Sequence, residues 1–557
     1  MDKVCKIIVV AILLVIVLVM FFYTDVNVAK ANKQEANLVV FGDNITPENK
    51  PFVEGNGIYL PIDIVEKFLD EYIFYDKIAT KVIITTEKEV YKLKLNENKM
   101  TRNFEDVSIE NPAKNENGQA YIDINLFKDI YNVKVEYNEN TSTISIDKKE
   151  ESDLPVKYNN VKVYDDISTK SNVISTLGKK NTVSVYTESL KHNRWYKIKT
   201  DDGTIGYISK NNVDVNTKPD DSEKNNANEN NQTSQNTSVG SIDSSDEKII
   251  MFWQYGSNLK TLGEKIDGVN VVSPTWYELK NSSGEINSKF SSEYYKKAKS
   301  NGYKIWPIVT NGIDSANYMP ADTSSMLNSE QNREQFIKNM LKIAKENNLD
   351  GINIDFESMK EEDKLVYTQF IRELTPVFRN EGIKVSVDMY FVNYIDRKGI
   401  GAASDYVILM GYDQRGGWSS ESGSISEISW VEKNIESLIN SSNIPAEKII
   451  LGVPFYTRLW TEKAGSNKPT TKVYDMNDCQ DFLKTNKLTA SLDEKSGQNY
   501  AEYTKGSVTY KLWLEDVDSM KKRVEIVNKY NLHGISGWQK GLETDNVWKA
   551  INDTIKK

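Results

Sequence analysis

Eight apolar segments that alternate with amphipathic helical segments constrain residues 248–557 more than any other feature of this chain. In chain order the eight segments read IIMFWQY, GVNVVSPTWYEL, KIWPIVTN, DGINIDFE, KVSVDMY, YVILMGYD, IILGVPFYTRLW and HGISGWQKG. Helical patterns such as NREQFIKNMLKIAKENN and LEDVDSMKKRVEIVNKY lie between them. Strands that alternate with helices build a parallel sheet, and eight such units close it into a barrel. The sequence therefore predicts an α/β fold with a (β/α)₈ TIM barrel over residues 248–557.

The fourth segment, DGINIDFE, has one apolar and one polar face if it is read as a strand. The apolar face holds Ile352, Ile354 and Phe356, and the polar face holds Asn353, Asp355 and Glu357. Both faces of a parallel barrel strand are buried, so the polar face must point into the barrel. Burying two carboxylates without compensation is costly, and polar groups at the carboxyl end of a barrel strand are where catalysis is expected. Asp355 and Glu357 are therefore candidate catalytic residues.

This segment resembles the DxxDxDxE signature of glycoside hydrolase family 18, and the resemblance covers nearly all of residues 248–557. It implies that Glu357 is the proton donor, that Asp355 orients the 2-acetamido group of the substrate, and that Asp350 is a structural acid at the strand start. Asn353 departs from the signature, in which Asp is usual, and an amide cannot take a proton. The same substitution is familiar in the bacterial branch of spore-cortex and cell-wall N-acetylglucosaminidases, so Asn353 is interpreted as a branch marker.

Two further motifs resemble the same family. MGYD matches its Met-x-Tyr-Asp motif through Met410, Tyr412 and Asp413, and GISGWQKG ends the eighth strand with Trp538. The resemblance implies that Tyr412 helps to hold the acetamido carbonyl and that Trp538 forms the apolar floor under the sugar. The segments PFYTRLW and SPTWYEL supply the remaining candidate substrate contacts, which are Tyr456, Arg458 and Trp276.

The resemblance also implies a mechanism without a protein nucleophile. A retaining glycosidase ordinarily uses a second carboxylate as nucleophile, whereas family 18 uses the acetamido oxygen of its substrate and forms an oxazolinium intermediate. Asp355 would hold that amide in line while Glu357 protonates the leaving oxygen. Two neighbouring acids raise one pKa, which keeps Glu357 protonated near neutral pH. Neither a metal ion nor an organic cofactor is expected.

Composition excludes several other classes of protein. The chain has two cysteines, Cys5 and Cys479, and two histidines, His192 and His533, with no metal-binding spacing. A disulfide framework, a CxxC redox pair and an HExxH zinc site are therefore excluded. The net charge of −10 leaves no basic excess to neutralise phosphates, so no nucleic-acid partner is expected.

The first 31 residues are predicted to be a signal peptide or a membrane anchor. Lys3 and Lys6 precede an uncharged apolar run over residues 7–23, which is long enough for a marginal membrane span. The small residues of AKA, Ala29 to Ala31, fit a cleavage site, and an uncleaved anchor is the alternative. The membrane is expected to be contacted only through residues 7–23, and the rest of the chain to work outside the cell. An exported chain without disulfides favours a Gram-positive type of bacterial surface.

Residues 32–150 contain an internal repeat that predicts an α+β stalk domain. The segment that starts at Tyr59 is echoed by the one that starts at Tyr121, and each reads as a strand, a short helix and a β-hairpin. The pattern resembles the copper amine oxidase N-terminal-like domain of exported bacterial proteins. No copper is expected, because this stretch has no histidine.

Residues 151–215 read as five short strands separated by turn residues, and NRWYKIKTDDGTIGYISK resembles a bacterial SH3 domain. The resemblance implies a small β-barrel that binds cell-wall peptides, with Trp195, Tyr196 and Tyr207 as groove residues; packing of the barrel is the alternative role for these three. Residues 216–247 have almost no apolar side chains and are predicted to be a disordered linker. The barrel is expected to have a complete core without the N-terminal half.

These observations lead to one functional hypothesis and three alternatives. We expect an exported glycosidase that cleaves β-1,4 bonds of N-acetylglucosamine-containing cell-wall glycan, either peptidoglycan or spore cortex. The cell wall is the expected partner of the SH3-like domain, and the polysaccharide is the expected substrate. The alternatives are hydrolysis of chitin-type oligomers, catalytically silent glycan binding, and a structural role in the wall or spore coat.

Overall fold

The computed structural model describes residues 33–149, 152–186, 194–214, 247–256, 259, 261–312 and 320–556. The predicted signal or anchor segment and all but the last residue of the predicted linker lie outside them. Within these described ranges, no helix is both long and apolar enough to cross a membrane. The chain divides into two compact units, and Tyr72–Lys94 and Lys99–Ser108, which lie within the predicted stalk domain, belong to the unit that contains the barrel.

The predicted repeat of residues 32–150 is present. Its elements are β1 (Gln34–Glu35), β2 (Asn37–Val40), β3 (Asp43–Ile45), β4 (Phe52–Glu54), β5 (Gly57–Pro61), α1 (Ile62–Phe68), β6 (Phe74–Asp76), β7 (Lys81–Thr85), β8 (Val90–Lys94), β9 (Lys99–Arg102), β10 (Glu105–Ser108), β11 (Lys114–Glu116), β12 (Gln119–Asp123), β13 (Val133–Asn138) and β14 (Thr143–Lys148). Each repeat is a strand, a helical turn and a hairpin: β5, α1 and β6–β7 in the first, and β12, the 3₁₀ turn Ile124–Leu126 and β13–β14 in the second.

The strands of the two repeats pair with each other, but the hairpins go to different sheets. β5 and β12 are antiparallel neighbours in the sheet β1-β4-β5-β12-β11, and the second hairpin joins the sheet β13-β14-β2-β3. The first hairpin instead joins the antiparallel sheet β10-β9-β8-β7-β6, which we call the barrel-side sheet. All five strands of the barrel-side sheet lie in the unit that contains the barrel.

The SH3-like region contains the five predicted strands and one more before them. They are β15 (Ser152–Pro155), β16 (Val161–Tyr164), β17 (Val173–Leu177), β18 (Thr182–Val185), β19 (Trp195–Thr200) and β20 (Ile205–Ser209), and they form one sheet in the order β15-β18-β19-β20-β16-β17. Tyr196 lies in the buried core of this sheet, whereas Trp195 and Tyr207 are half-buried. The structure therefore leaves Trp195 and Tyr207 as accessible candidates for a groove.

All eight predicted barrel strands are present, and they close into a parallel barrel. They are β21 (Ile249–Gln254), β22 (Val271–Leu279), β25 (Ile308–Thr310), β26 (Gly351–Asp355), β27 (Lys384–Met389), β28 (Tyr406–Met410), β29 (Ile449–Pro454) and β35 (Gly534–Trp538). Each pairs with its neighbours in chain order, and β21 pairs with both β22 and β35. The third strand is interrupted at Pro307, so a short β24 (Lys304–Ile305) precedes β25; β23 (Ile286–Ser288) extends β22 as an antiparallel neighbour.

The helices around the barrel bury an apolar face, and some of them begin with polar caps. They are α2 (Ser292–Ser300), α3 (Pro320–Asn328), α4 (Glu330–Glu346), α5 (Lys364–Asn380), α6 (Arg397–Ala403), α7 (Ile428–Asn440), α9 (Val517–Lys529) and α10 (Val547–Thr554). Ser291 caps α2, and Ser329 caps α4, through hydrogen bonds from backbone N–H groups to their hydroxyls. The apolar face of β26 packs outward: the Phe356 ring lies 6.0 Å from Phe336 on α4 and 5.6 Å from Phe370 on α5.

An antiparallel sheet lies between the seventh and eighth barrel strands, and the sequence did not predict it. It consists of β30 (Tyr456–Lys463), β31 (Thr470–Asp475), β32 (Ser491–Asp493), β33 (Gln498–Lys505) and β34 (Val508–Trp513), with α8 (Met476–Asn486) after β31. The segment IILGVPFYTRLW, predicted as one strand, is two: β29 ends at Pro454, and β30 begins at Tyr456.

The barrel-side sheet is part of the core of the barrel unit. Ile83 on β7 and Val90 on β8 are buried in the same apolar cluster as the faces of β26, α4 and α5. Lys92 on β8 forms buried ion pairs with Glu330 at 2.6 Å and with Glu373 at 3.0 Å. The expectation that the barrel core is complete without the N-terminal half is therefore wrong, because apolar and charged partners of its helices come from β7 and β8.

Candidate active site

The two candidate acids lie together at the carboxyl end of β26. Asp355 ends the strand and is buried, while Glu357 lies just beyond it and is partly exposed. Asn311, which follows β25, holds the backbone of Glu357 on both sides: its amide nitrogen donates to the Glu357 carbonyl at 2.7 Å, and its amide oxygen accepts from the Glu357 N–H at 3.2 Å. Asn311 was not identified from the sequence, because its role depends on the register of two adjacent strands.

Asn353 is fully buried on the inner face of β26, below the two acids. Its amide oxygen accepts a hydrogen bond from the indole N–H of Trp253 at 2.7 Å, and its amide nitrogen donates to Asp388 at 2.8 Å. The indole N–H is only a donor, so this contact fixes which end of the amide faces Trp253. Asn353 is thus held between the first and fifth barrel strands and is not exposed to bind substrate in this structure.

Asp388 on β27 is a buried acid that the sequence analysis missed; its side chain is 3 % exposed. Burial raises the pKa of Asp388 well above its ordinary value, the hydrogen bond from Asn353 opposes this rise, and the neighbouring Glu357 adds to it. The structure therefore favours the neutral acid at this position.

Aromatic rings form the wall of the cleft beside the acids. The Tyr412 ring lies 6.5 Å from Trp253, 6.3 Å from Tyr390 and 6.2 Å from Tyr456. Burial raises the pKa of Tyr412 well above its ordinary value, and the neighbouring tyrosines and acids raise it further, so its phenol stays protonated. A buried, protonated phenol is available as a hydrogen-bond donor.

Trp538 and Met410 lie with this aromatic wall. The Trp538 ring is 5.9 Å from Trp253 and 6.2 Å from Tyr255, and Met410 is buried in the apolar cluster inside the barrel. Trp538 is half-buried, so part of its ring remains accessible. The structure thus brings the predicted Met410, Tyr412 and Trp538 to one side of the cleft.

Beside Tyr412, a row of polar side chains runs toward solvent through Tyr456, Asp413 and Arg458. The phenol of Tyr456 donates to Asp413 at 2.7 Å, and the Arg458 guanidinium lies 3.8 Å from the same carboxylate. Arg458 also lies over the ring of Trp418 at 6.0 Å from its centroid, and Trp418 is 64 % exposed. Trp418 was not identified from the sequence.

Two predicted residues lie away from the cleft. Trp276 has no exposed surface and packs against Phe290 and Tyr294 between the strands and the helices, so the structure places it in the core and not against substrate. Asp350 precedes β26 at the opposite end from Glu357, where it accepts hydrogen bonds from Lys299 at 2.6 Å and from the Ile305 N–H at 2.8 Å. These contacts tie Asp350 to α2 and to the third barrel strand.

The acids in the described part of the chain do not gather as a metal site would require. No group of three or more His, Cys, Asp or Glu side chains among those residues could hold a metal ion. The arrangement instead joins a partly exposed carboxyl group, a buried carboxylate below it and protonated phenols. Such a set suits acid–base chemistry on a neutral substrate held against aromatic rings.

The barrel, the acids at the end of its fourth strand and the aromatic cleft define a glycosidase. The model of the family described as glycosyl hydrolases family 18 matches residues 204–543, and the chain belongs to this family. The copper amine oxidase N-terminal domain matches residues 39–146, and the bacterial SH3 domain matches residues 159–214, which confirms both predicted resemblances.

Two of the curated relatives come from Bacillus subtilis (strain 168). The "uncharacterized glycosylase YvbX" is 26% identical over 285 residues, which is 49% of this chain and 81% of the relative. The "cortical fragment-lytic enzyme" is 24% identical over 242 residues, which is 41% of this chain and only 55% of the relative. Among solved structures, the spore cortex-lytic enzyme SleL of Bacillus megaterium QM B1551 has a TM-score of 0.49 and 22% identity, and the match covers 56% of this chain and 76% of that one.

Proposed function

We propose that this protein hydrolyses β-1,4 glycosidic bonds in N-acetylglucosamine-containing cell-wall glycan, peptidoglycan or spore cortex, outside the cell. The observation that carries the proposal is the arrangement at the end of β26. Glu357 is partly exposed and its backbone is held by Asn311, whereas Asp355 is buried. A general acid must meet the leaving oxygen, while the group that stabilises positive charge must be shielded from water.

The proposed reaction is substrate-assisted and retains the anomeric configuration. Glu357 gives its proton to the glycosidic oxygen, that bond to C1 breaks, and the acetamido oxygen forms a bond to C1. Asp355 stabilises the positive charge of the resulting oxazolinium, and the Tyr412 phenol donates a hydrogen bond to the acetamido group. Glu357, now a carboxylate, takes a proton from the water that opens the ring and is thereby reset.

The preference for cell-wall glycan over chitin rests on the domains that precede the barrel in the sequence and on the relatives. The bacterial SH3 domain has two accessible aromatic residues, Trp195 and Tyr207, that suit binding of a wall peptide. One relative bears the name of a cortical fragment-lytic enzyme. Asn353 is interpreted, from the resemblance, as a marker of the bacterial wall-acting branch. The predicted export segment, residues 1–31, would bring the enzyme to that substrate.

Mass spectrometry of muropeptides after digestion of purified wall and cortex glycan with the full chain tests the proposal. New reducing-end N-acetylglucosamine in the wild-type digest, and its absence with Glu357→Gln, is the expected result. Reducing-end muramic acid would make the protein a muramidase. Cleavage of chitin oligomers with no action on wall or cortex would make it a chitinase and overturn the substrate assignment.

A further inference from the structure

One buried acid beside the active site has no role in the reaction described above. Asp388 lies on β27, the strand next to β26 in the barrel. The parallel register pairs Asn353 with Ser386 and Ile354 with Val387, so the next inward position on β27 after Ser386 lies beside Asp355. That position is Asp388. The barrel thus places a third acid below Asp355 and Glu357, from a different strand.

The contact between Asp388 and β26 has one possible direction. Trp253 fixes the oxygen of the Asn353 amide by donating to it at 2.7 Å, which leaves the amide nitrogen to face β27. Asp388 accepts from that nitrogen at 2.8 Å. An apolar side chain at residue 388 would leave the buried Asn353 amide N–H without an acceptor. Loss of that hydrogen bond would destabilise the local geometry.

The groups that face Asp388 come from three other elements. Asp355 and Glu357 belong to the end of β26, Tyr367 lies on α5, and Tyr412 follows β28. The two tyrosines have pKa values raised by burial first, and Asp388 and Asp355 raise them further. No cation is among these neighbours. Burial and Glu357 raise the pKa of Asp388, and the hydrogen bond from Asn353 opposes this rise.

We propose that Asp388 is a positioning residue of the active site. From β27 it supplies the carboxyl group that the family signature places at position 353. Through the Asn353 amide it orients the face of β26 that carries Asp355 and Glu357. Asn353 together with a neutral Asp388 gives this buried site one carboxyl group. An Asp at position 353 beside an amide at position 388 would give the same number. The inference rests on the proposed function, because orientation matters only if Asp355 and Glu357 react.

Four variants test the exchange: Asp388→Leu, Asp388→Asn, Asn353→Asp and the double variant Asn353→Asp/Asp388→Asn. Asp388→Leu leaves the Asn353 amide N–H without an acceptor, so kcat on a soluble N-acetylglucosamine oligomer should fall by about 10²-fold with little change in KM. Asp388→Asn keeps a neutral acceptor and should lose far less. Val387→Ala, on the same strand but facing the helices, should lower the thermal midpoint without this loss of kcat. Wild-type kcat in a folded Asp388→Leu would overturn the proposal.

The pH profile separates positioning from packing. Asn353→Asp puts two acids 2.8 Å apart, and their extra charge raises the pKa of neighbouring Glu357, so the alkaline limb of kcat/KM should move to higher pH. In the double variant Asn353→Asp/Asp388→Asn the buried pair again has one acid. The alkaline limb of kcat/KM should therefore return toward its wild-type position, and kcat should recover in part. A double variant no closer to wild type than Asn353→Asp would refute the exchange.

Thermal unfolding tests the same proposal without relying on activity. An acid whose pKa is raised in the folded state keeps its proton where the unfolded chain releases it, above about pH 3.9, so it lowers stability as pH rises. The thermal midpoint of Asp388→Asn minus that of wild type should therefore increase from pH 4 upward. A difference that does not depend on pH would contradict the claim that Asp388 is protonated in the folded state. A wild-type enzyme inactive on every glycan would refute the proposed function, whereas active wild type with unaffected variants would refute this inference alone.

Discussion

The side chain of Asn311 makes two hydrogen bonds to the backbone of Glu357, one to its carbonyl at 2.7 Å and one from its N–H at 3.2 Å. Asn311 follows the third barrel strand, and Glu357 follows the fourth, so the proposed general acid is fixed from the neighbouring strand. Its position relative to the glycosidic oxygen therefore depends on a residue that does not react.

Asn311→Ala should lower kcat by about 10²-fold, because a displacement of about 1 Å at a reacting group can cost that much. Steady-state kinetics on a soluble N-acetylglucosamine oligomer would measure the loss, with KM nearly unchanged. Asn301→Ala is a matched control, since the Asn301 amide also bonds a backbone carbonyl, that of Gly263, at the opposite end of the barrel. Equal losses in the two variants would contradict a specific role for Asn311.

Glu357→Gln and Asp355→Asn should fail in different ways. Glu357→Gln removes the transferable proton, so turnover of natural glycan should fall by about 10² to 10⁴-fold, and an aryl glycoside with a good leaving group should be spared in the first step. Asp355→Asn removes the charge that stabilises the oxazolinium, so both substrates should be slowed. Asp350→Asn, at the other end of β26, should lower stability without altering the leaving-group dependence. Identical profiles for the first two variants would contradict their assigned roles.

Trp418→Ala should weaken binding of long glycans and spare short ones. The exposed ring lies beside Arg458, at the outer end of the row that runs through Tyr456 and Asp413. Loss of an aromatic contact of about 0.5–1.5 kcal/mol should raise KM for long oligomers by about two- to tenfold. The exposed Ile78, in the turn between β6 and β7, provides the control Ile78→Ala. The same change in KM for a disaccharide would place Trp418 elsewhere in the reaction.

Lys92→Met should destabilise the barrel unit by about 3–5 kcal/mol, the cost of breaking buried ion pairs by removing one partner. The buried acids would then keep only their second cations, Lys81 for Glu330 and Arg333 for Glu373. Burial lowers the pKa of Lys92, but Glu373 and Glu330 outweigh burial and raise it, so the ammonium stays charged. Lys81→Met is the matched control: Lys81 also pairs with Glu330, at 2.7 Å, but its side chain is 28 % exposed. That loss should be about 0–1 kcal/mol. Denaturant unfolding of both variants measures the difference.

The sequence predicted the barrel because eight apolar strands with intervening helices leave few other closed arrangements. The predicted strand boundaries are wrong where a single residue interrupts a strand. Pro307 interrupts the third strand, and Phe455 separates β29 from the first strand of the inserted sheet. Periodicity alone does not show that IILGVPFYTRLW leaves the barrel, because both of its halves are apolar.

The site could be predicted only in part, for a physical reason. Motif spacing located Asp355, Glu357 and Tyr412, but Asn311 and Asp388 act through pairing between strands, which a single sequence does not display. A signal for Asp388 existed. KVSVDMY alternates like DGINIDFE, with Ser386, Asp388 and Tyr390 on the inward face. Trp276 is the converse case, an aromatic near a strand end that packs in the core.

The barrel-side sheet also determines what a protease could release. A single cut between residues 215 and 246 would separate the two halves of the polypeptide, but β6–β10 would stay on the amino-terminal fragment while their partners Glu330 and Glu373 stay on the other. The fragments would then remain associated through buried ion pairs and the Ile83–Val90 part of the core. Release of the hydrolase from the SH3 domain would require further breaks on both sides of the barrel-side sheet, near Glu71 and near Ile109, because β5 and β2 pair with β12 and β14. Processing in the 215–246 segment alone would therefore nick the enzyme without freeing it.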